Sequence, residues 1–364
     1  MSPYSLTRPG GVQGQVTGLA RALRRLDHDV TVLAPDDRQT PGRHGDVVAL
    51  GRSTGVRANG SVAPVALSPR AAWRALQSVR ATRVDVVHLH EPLAPVAAYG
   101  LLVAPPAPLV ATFHRSGESG AYRALGPLAR WAAGRLSARC AVSEEARRTA
   151  VAALGGDCQV LFNGVEVARF ADAEPWTTDR PTVIFLGRHE DRKGLAVLLE
   201  AFSTVPDPAR LWVAGDGPLT AELMARHPAS ERVEWLGLLS ESELAARVAG
   251  ADVLCAPSLG GESFGLVLLE AMAAGAAVVA SDLPGYAMAA GGLADLVPPG
   301  DVPALAAALR RALGDAPASR GRSSPEARGA RRSRAESWSM DRLAHCYLDV
   351  YDRVRGAGPG APAN

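Results

Sequence analysis

Short, valine-rich apolar runs alternate with amphipathic helical patterns along this chain, and the alternation occurs twice. The first series of runs lies at residues 29–35, 84–90, 108–114, 138–143 and 159–163. The second lies at 182–187, 210–215, 233–237, 253–258 and 276–281, with helical stretches such as 195–202, 241–249 and 302–313 between them. Strands that are apolar throughout and alternate with helices belong to parallel sheets covered on both faces. Two such series, meeting near 165–180, predict an α/β protein of two doubly wound, Rossmann-like domains.

The expected boundaries are 1–168 for the first domain and 176–337 for the second, joined by an exposed linker around Glu174, Pro175 and Trp176. The segment 315–334 is rich in Ala, Arg and Ser and reads as a solvated helix or flexible arm. A closing amphipathic helix is expected within 338–356, followed by a disordered Gly/Pro tail at 357–364. The beginning is unusual: only residues 1–8 precede the turn Pro9-Gly10-Gly11 and the helix at 12–26. A doubly wound domain opens with a strand feeding that turn, so the first strand is expected to be missing or truncated and the true start to lie upstream.

Composition removes several classes of function. With 47% hydrophobic and 21% charged residues the chain folds, and a net charge of +2 gives no electrostatic case for nucleic acid. Cys140, Cys158, Cys255 and Cys346 form no CxxC pair and no zinc spacing, and read as buried thiols in a reducing compartment. The sole Asp-x-Asp, Asp27-His28-Asp29, falls in a helix-to-strand turn, so no metal is expected. No signal peptide or membrane span is recognised, which makes the cytoplasm the expected location.

The strongest chemical signal is Gly260-Gly261-Glu262-Ser263-Phe264-Gly265, between a strand and the apolar helix 266–274, with Glu270 two turns into that helix. Free amides at a glycine-flanked helix start suit a diphosphate or sugar hydroxyls, with Ser263 as the expected cap. Glu270 needs a partner in apolar surroundings; ribose hydroxyls or a structural arginine would serve. A second cluster, Gly187-Arg188…Arg192-Lys193-Gly194, follows the first strand of the second domain, where open parallel sheets bind ligands. Lys193 is the only lysine among 39 Lys and Arg residues. A compact ammonium beside Arg188 suits two phosphates; a solvated basic loop is the plainer reading.

In the first half, Gly10 and Gly11 offer a further anion contact at a helix start. Strands ending in His88-Leu89-His90 and in His114 bring imidazoles to a ligand-facing edge. His114 is the better catalytic candidate, against the alternative of a satisfied structural residue, while His88 and His90 share a face and spacing does not separate them. The helix at 69–80 carries Arg70, Arg74 and Arg80 with Trp73, Leu76 and Val79. It reads as packed on its sheet with arginines outward, or as lying on an anionic membrane.

At these residues the sequence resembles the retaining, GT-B-fold glycosyltransferases with a Glu-x7-Glu motif, the spacing of Glu262 and Glu270. Within them it is most similar to the actinobacterial phosphatidylinositol mannosyltransferases. The matching stretches include Pro3-Tyr4-Ser5, Gly10-Gly11-Val12-Gln13, His90-Glu91-Pro92, Ala111-Thr112-Phe113-His114, Asn163-Gly164-Val165, Gly187-Arg188, Arg192-Lys193-Gly194 and 259–265. The resemblance implies two doubly wound domains facing a central cleft, with the last helix crossing back to the first.

It also implies a metal-independent hexosyltransferase without cofactor, moving mannose from GDP-mannose to an inositol phospholipid at the inner face of the plasma membrane. Arg188 and Lys193 would hold the diphosphate, Glu262 the sugar and Glu270 the ribose. Gly10, Gly11, Gly261, Ser263, Phe264 and Gly265 would also contact the nucleotide-sugar. His114 would be catalytic with Glu262, Arg188 and Lys193, and Tyr4, Gln13 and His114 would meet the acceptor. The sequence departs from the family pattern at Arg115-Ser116-Gly117-Glu118-Ser119, where a polar stretch with a lysine is expected, and in a less basic helix at 69–80. Both departures touch the acceptor. The alternatives are a relative using a UDP- or GDP-sugar on a small soluble acceptor, and a non-catalytic nucleotide-binding protein.

Overall fold

The structure is a computed structural model and describes residues 1–7, 10–38, 41–58, 61–94, 96–115, 120–262, 264–314 and 324–356. It divides into two compact units, Met1–Gly164 with Met340–Asn364, and Val165–Ser339.

The first unit contains α1 (Gly11–Arg25), β1 (Val32–Ala34), β2 (Gly42–His44), β3 (Val47–Ala49), β4 (Thr54–Ala58), β5 (Ser61–Val65), α2 (Pro69–Thr82), β6 (Val87–His90), α3 (Tyr99–Val103), β7 (Leu109–Phe113), α4 (Gly120–Ala133), β8 (Ala138–Ala141), α5 (Glu144–Leu154) and β9 (Gln159–Val160). The second contains α6 (Val167–Ala171), β10 (Thr182–Leu186), α7 (Leu195–Ser203), β11 (Arg210–Ala214), α8 (Thr220–Arg226), β12 (Val233–Gly237), α9 (Glu241–Gly250), β13 (Val253–Ala256), α10 (Leu266–Ala274), β14 (Ala277–Ser281), α11 (Pro284–Ala290), β15 (Asp295–Val297), α12 (Val302–Leu313) and α13 (Pro325–Glu336). The last helix, α14 (Met340–Gly356), belongs to the first unit.

The second unit is a single parallel sheet in the order β12-β11-β10-β13-β14-β15. Successive side chains of β10 feed opposite layers, because side chains alternate across a strand. Val183 and Phe185 pack with α7 and α12, while Ile184 packs with α9 and α10. Chain order reverses between β10 and β13, and ligands of such sheets bind outside the strands' carboxyl ends at that reversal.

In the first unit the expected single sheet is broken. β1-β3-β2 and β6-β7-β8-β9 form separate sheets, with β4-β5 as a two-stranded one, and the start of the chain hydrogen-bonds to the first two. Ser2 N donates to Leu33 O, the Met1 ammonium to His88 O at 2.6 Å, and His90 N to Met1 O. Among the described residues no strand precedes α1. Val16, Leu19, Leu23, Val32 and Val86 line a pocket of about 300 Å³ in this unit. Burial pushes the Met1 ammonium down to about 5. α14 covers α1 and this sheet with Met340, Ala344, Tyr347, Val350 and Val354.

Three readings of the sequence need correction. The stretch 165–180 is not simply an exposed linker: Val165, Val167 and Phe170 are buried in the core of the second unit, and α6 packs on α10. Its pattern was concealed because a five-residue helix shows little periodicity. Within 315–334, residues 315–323 lie outside the described residues; the remainder is the helix α13, exposed at most positions as a solvated helix would be, so it is the flexible-arm alternative that falls. There Arg331 donates to Gly275 O at 3.1 Å and Arg334 to Ala289 O at 3.0 Å, so arginines cap the C-terminal ends of α10 and α11. Cys346 is exposed, unlike Cys140, Cys158 and Cys255. The tail at 357–364 also lies outside the described residues.

Candidate active site

Two loops meet where the second sheet reverses. After β10 the chain passes Gly187 and Arg188, makes one 3-10 turn through Asp191–Lys193 and enters α7 at Gly194, whose φ is +67°. A Cβ on Gly194 would run into Pro257 O, so glycine alone lets this loop lie against the segment leaving β13. Leu259 N, donating to Arg192 O at 2.7 Å, ties the two loops together.

That contact converges charged groups. Lys193 Nζ lies 2.5 Å and Arg192 Nη1 3.2 Å from Glu262 Oε1. Arg192 Nη2 reaches Glu190 Oε1 at 2.7 Å, and Arg188 Nε is 3.7 Å from Glu190 Oε2. The Lys193 and Glu262 side chains are 20% and 12% exposed, so their attraction is screened less than that of a surface pair. Ser258 Oγ donates to Glu262 Oε1 at 3.1 Å, and Tyr286 Oη lies 2.9 Å from Ser258 Oγ.

The helix after the glycine loop begins differently from the expectation. Ser263 lies outside the described residues; the N-cap is Gly265, left-handed at φ +93°, with no side-chain cap. Its missing Cβ leaves room for the Tyr286 ring, and Gly261 is also left-handed at φ +72°. Phe264 is buried, its ring edge-on to Trp338 at 5.0 Å, so its side chain packs the core rather than facing a ligand. Glu270 follows on α10. Burial pushes its carboxyl up to about 7, against Arg169 and reinforced by Glu166.

In the first unit, α1 starts at Gly11 from an extended Gly10, again with no side-chain cap. Space around a Cβ on Gly11 is open, while one on Gly10 would strike the Gln13 amide. Gln13 is buried and its Nε2 donates to Ser5 O at 3.3 Å. Tyr4 bridges antiparallel to Val65; burial and the Glu91 carboxylate raise its phenol. Glu91 Oε1 accepts from the backbone N–H of His114 at 2.5 Å and of Arg115 at 2.7 Å, fixing the end of β7.

The three histidines separate by partner. His88 is bound to Tyr351 Oη at 2.7 Å and Thr112 Oγ1 at 2.8 Å, which makes it structural. His90 Nδ1 instead meets His114 Nε2, and the two rings stack at 5.2 Å. His114 is partly exposed, and desolvation pushes its imidazole down to about 4.

Sequence reasoning brought His90 to the ligand-facing edge and noted Glu91 in a matching stretch, but gave neither a role, and it missed Ser258 and Tyr286, which join the cluster around Glu262. Period-two spacing had placed His88 and His90 on one face without revealing which met His114. Ser258 lay beside the glycine loop, but Tyr286 comes from a different strand end and carried no signal. Among the described residues no three His, Cys, Asp or Glu side chains are placed to hold a metal, and no helix is long and apolar enough to cross a membrane.

Residues 180–315 match the model of the glycosyl transferases group 1 family, and residues 9–169 that of glycosyltransferase family 4. The chain is 38% identical to the phosphatidyl-myo-inositol mannosyltransferase of Mycolicibacterium smegmatis, over 98% of this chain and 93% of that protein. Among solved structures it is similar to sucrose-phosphate synthase from Thermosynechococcus elongatus, with TM-score 0.72 and 20% identity, covering 97% and 96% of the two chains. It is also similar to HepE from Anabaena, solved with UDP and glucose, with TM-score 0.70 and 18% identity over 95% and 97%. The structural likenesses establish the fold as GT-B. The identity and coverage of the mycobacterial relative establish more: the chain is a hexosyltransferase belonging to the phosphatidyl-myo-inositol mannosyltransferase family of glycosyltransferases.

Proposed function

We propose that the protein transfers mannose from GDP-mannose to the inositol ring of phosphatidylinositol, with retention of anomeric configuration. The observation that carries this reading is the 2.5 Å contact of Lys193 Nζ with Glu262 Oε1 at the reversal point of the second sheet. There a compact cation and a carboxylate stand side by side, as a diphosphate and the sugar it carries require.

In this reading Arg188 and Lys193 bind the diphosphate and stabilise its charge as the bond to the anomeric carbon breaks. Glu262 accepts from sugar hydroxyls, Glu270 from the ribose, and the uncapped amides of α10 face a phosphate. The acceptor hydroxyl attacks from the face the phosphate leaves, and its proton passes to a departing phosphate oxygen. No enzyme nucleophile is needed, and positioning supplies most of the acceleration. Gly10 and Gly11 keep a proposed part in donor binding, and His114, Tyr4 and Gln13 in acceptor binding. For Gln13 this means exchanging its hydrogen bond to Ser5 O.

A lipid acceptor is favoured by α2. Ala71, Ala75 and Val79 face inward, whereas Trp73 is 62% exposed beside Arg70. An exposed tryptophan among arginines suits an anionic membrane surface, where the protein is proposed to bind peripherally on the cytoplasmic side.

The test is a donor-by-acceptor screen read by mass spectrometry. Mannosyl transfer from GDP-mannose to phosphatidylinositol vesicles is expected; transfer solely to a soluble acceptor would replace this reading with the small-molecule one.

A further inference from the structure

We infer that Ser258 and Tyr286 are positioning residues for Glu262, a pair of buried hydroxyls that fixes which carboxylate oxygen meets the donor sugar. The inference rests on the proposed role of Glu262.

Both hydroxyl-bearing residues are 1% exposed, one leaving β13 and the other on α11 after β14. Their order of donation follows from chemistry. Facing Lys193 and Arg192, the Glu262 carboxylate acts as acceptor, so Ser258 must donate to it. The Ser258 oxygen is then the acceptor for Tyr286 O–H at 2.9 Å. Burial raises the Tyr286 phenol far above its ordinary range, which keeps that proton in place. The close approach of the tyrosine depends on Gly265, where a Cβ would press on the ring at Cδ1.

Ser258, Lys193 and Arg192 all converge on Oε1 of Glu262. Oε2 is therefore the oxygen turned to a hydroxyl of the bound sugar. When a diphosphate arrives it competes for the Lys193 ammonium, and the contacts that remain on Oε1 are the hydroxyl relay and the more exposed Arg192. Burial at the ends of two strands, β13 and β14, makes that relay rigid, so it holds the carboxylate during the step in which charge shifts to the phosphate.

The experiment compares Tyr286→Phe, Ser258→Ala, Ser258→Thr and the Tyr286→Phe/Ser258→Ala double variant in the full chain. It measures kcat, KM for GDP-mannose, affinity for GDP alone, and Tm. The expected result is a kcat about tenfold lower in Ser258→Ala, as for loss of a hydrogen bond to a charged group, and a loss up to that size in Tyr286→Phe, which leaves the Ser258 hydroxyl unoriented. The double variant should be no worse than Ser258→Ala, since both act through one relay, and Ser258→Thr should recover activity by keeping the hydroxyl. GDP affinity should be unchanged, because GDP lacks the transferred hexose that Glu262 is proposed to hold. Additive losses, GDP affinity falling in step with kcat, or wild-type kcat in Tyr286→Phe would each overturn the inference. Glu262→Gln in the same assay separates the two levels. If it is inactive while the relay variants are fully active, only the relay fails; if it turns over normally, the proposed role of Glu262 fails too.

Discussion

The imidazoles of His90 and His114 meet nitrogen to nitrogen, Nδ1 of the first 2.9 Å from Nε2 of the second. One nitrogen must donate and the other accept, so a second proton would set two N–H groups against each other. Burial pushes His114 down to about 4, and His90 well below the ordinary histidine range with His88 and His114 adding to the effect. Both rings are neutral at neutral pH, and the unfolded chain binds more protons than the folded one between about pH 6.5 and 4. Stability should therefore fall as pH drops through that window. Urea denaturation at intervals from pH 7.5 to 4.5 checks this, and His90→Gln should show a flatter dependence than the wild type.

Replacing Lys193 probes the charge at the sheet reversal. Lys193→Ala is expected to lower kcat/KM by about a hundredfold or more, the scale of losing one group that stabilises a developing anion. Lys193→Arg should recover only part of this. A guanidinium fork is wider than an ammonium, and the Lys193 stem already passes Gly187 at 3.8 Å from the position a Cβ there would occupy. Steady-state kinetics with GDP-mannose gives the comparison.

Glu270 gives the donor site a pH dependence of its own. Burial raises its carboxyl to about 7, so much of it is protonated in the empty protein at neutral pH. In its proposed role Glu270 would accept from ribose hydroxyls in its ionised form, so nucleotide binding is expected to release a proton. Affinity for GDP should rise as pH climbs toward 7 and level off above it. Calorimetric titration between pH 5.5 and 8.5 should show this slope in the wild type and lose it in Glu270→Gln.

Gly194→Ala is expected to destabilise the second unit by roughly 2–4 kcal/mol, combining a left-handed backbone with a collision at Pro257 O. Gly11→Ala, at a position with open space, should leave stability nearly unchanged. Paired thermal melts settle the contrast.

On α2, Trp73→Ser should weaken flotation with anionic vesicles while leaving the melting temperature within a degree or two, because the indole is 62% exposed. Equal flotation of both proteins would remove the helix from the lipid-binding reading.

Much of the second unit was legible because its strands are buried on both faces and announce themselves as unbroken apolar runs. Val253–Ala256 and Ala277–Ser281 are examples. Gly194 and Gly265 marked the sharp turns that bring the site loops together. The small helix Val167–Ala171 and the partners of its buried residues were hidden, since five residues give no periodic signal. Arginines on α13 read as solvent charge, yet two of them, Arg331 and Arg334, cap helix ends through their planar heads, a use that depends on three-dimensional neighbours. The same limit applies to Tyr286, whose hydroxyl reaches the site across the sheet from another strand end. Period-two alternation placed His88 and His90 together but did not identify the partner that makes one structural and pairs the other with His114.

The chain enters the second unit at Val165 and leaves it at Ser339, and these two residues form a parallel bridge. The second unit is thus a continuous stretch of chain with neighbouring ends, whereas the first is split around it. During synthesis the second unit is complete in sequence while Leu19, Leu23, Val110 and Cys140 of the earlier half still await Tyr347, Val350 and Val354. The half that begins first is finished last, and a chain cut at the start of α14 would carry a complete second unit attached to an uncovered first one.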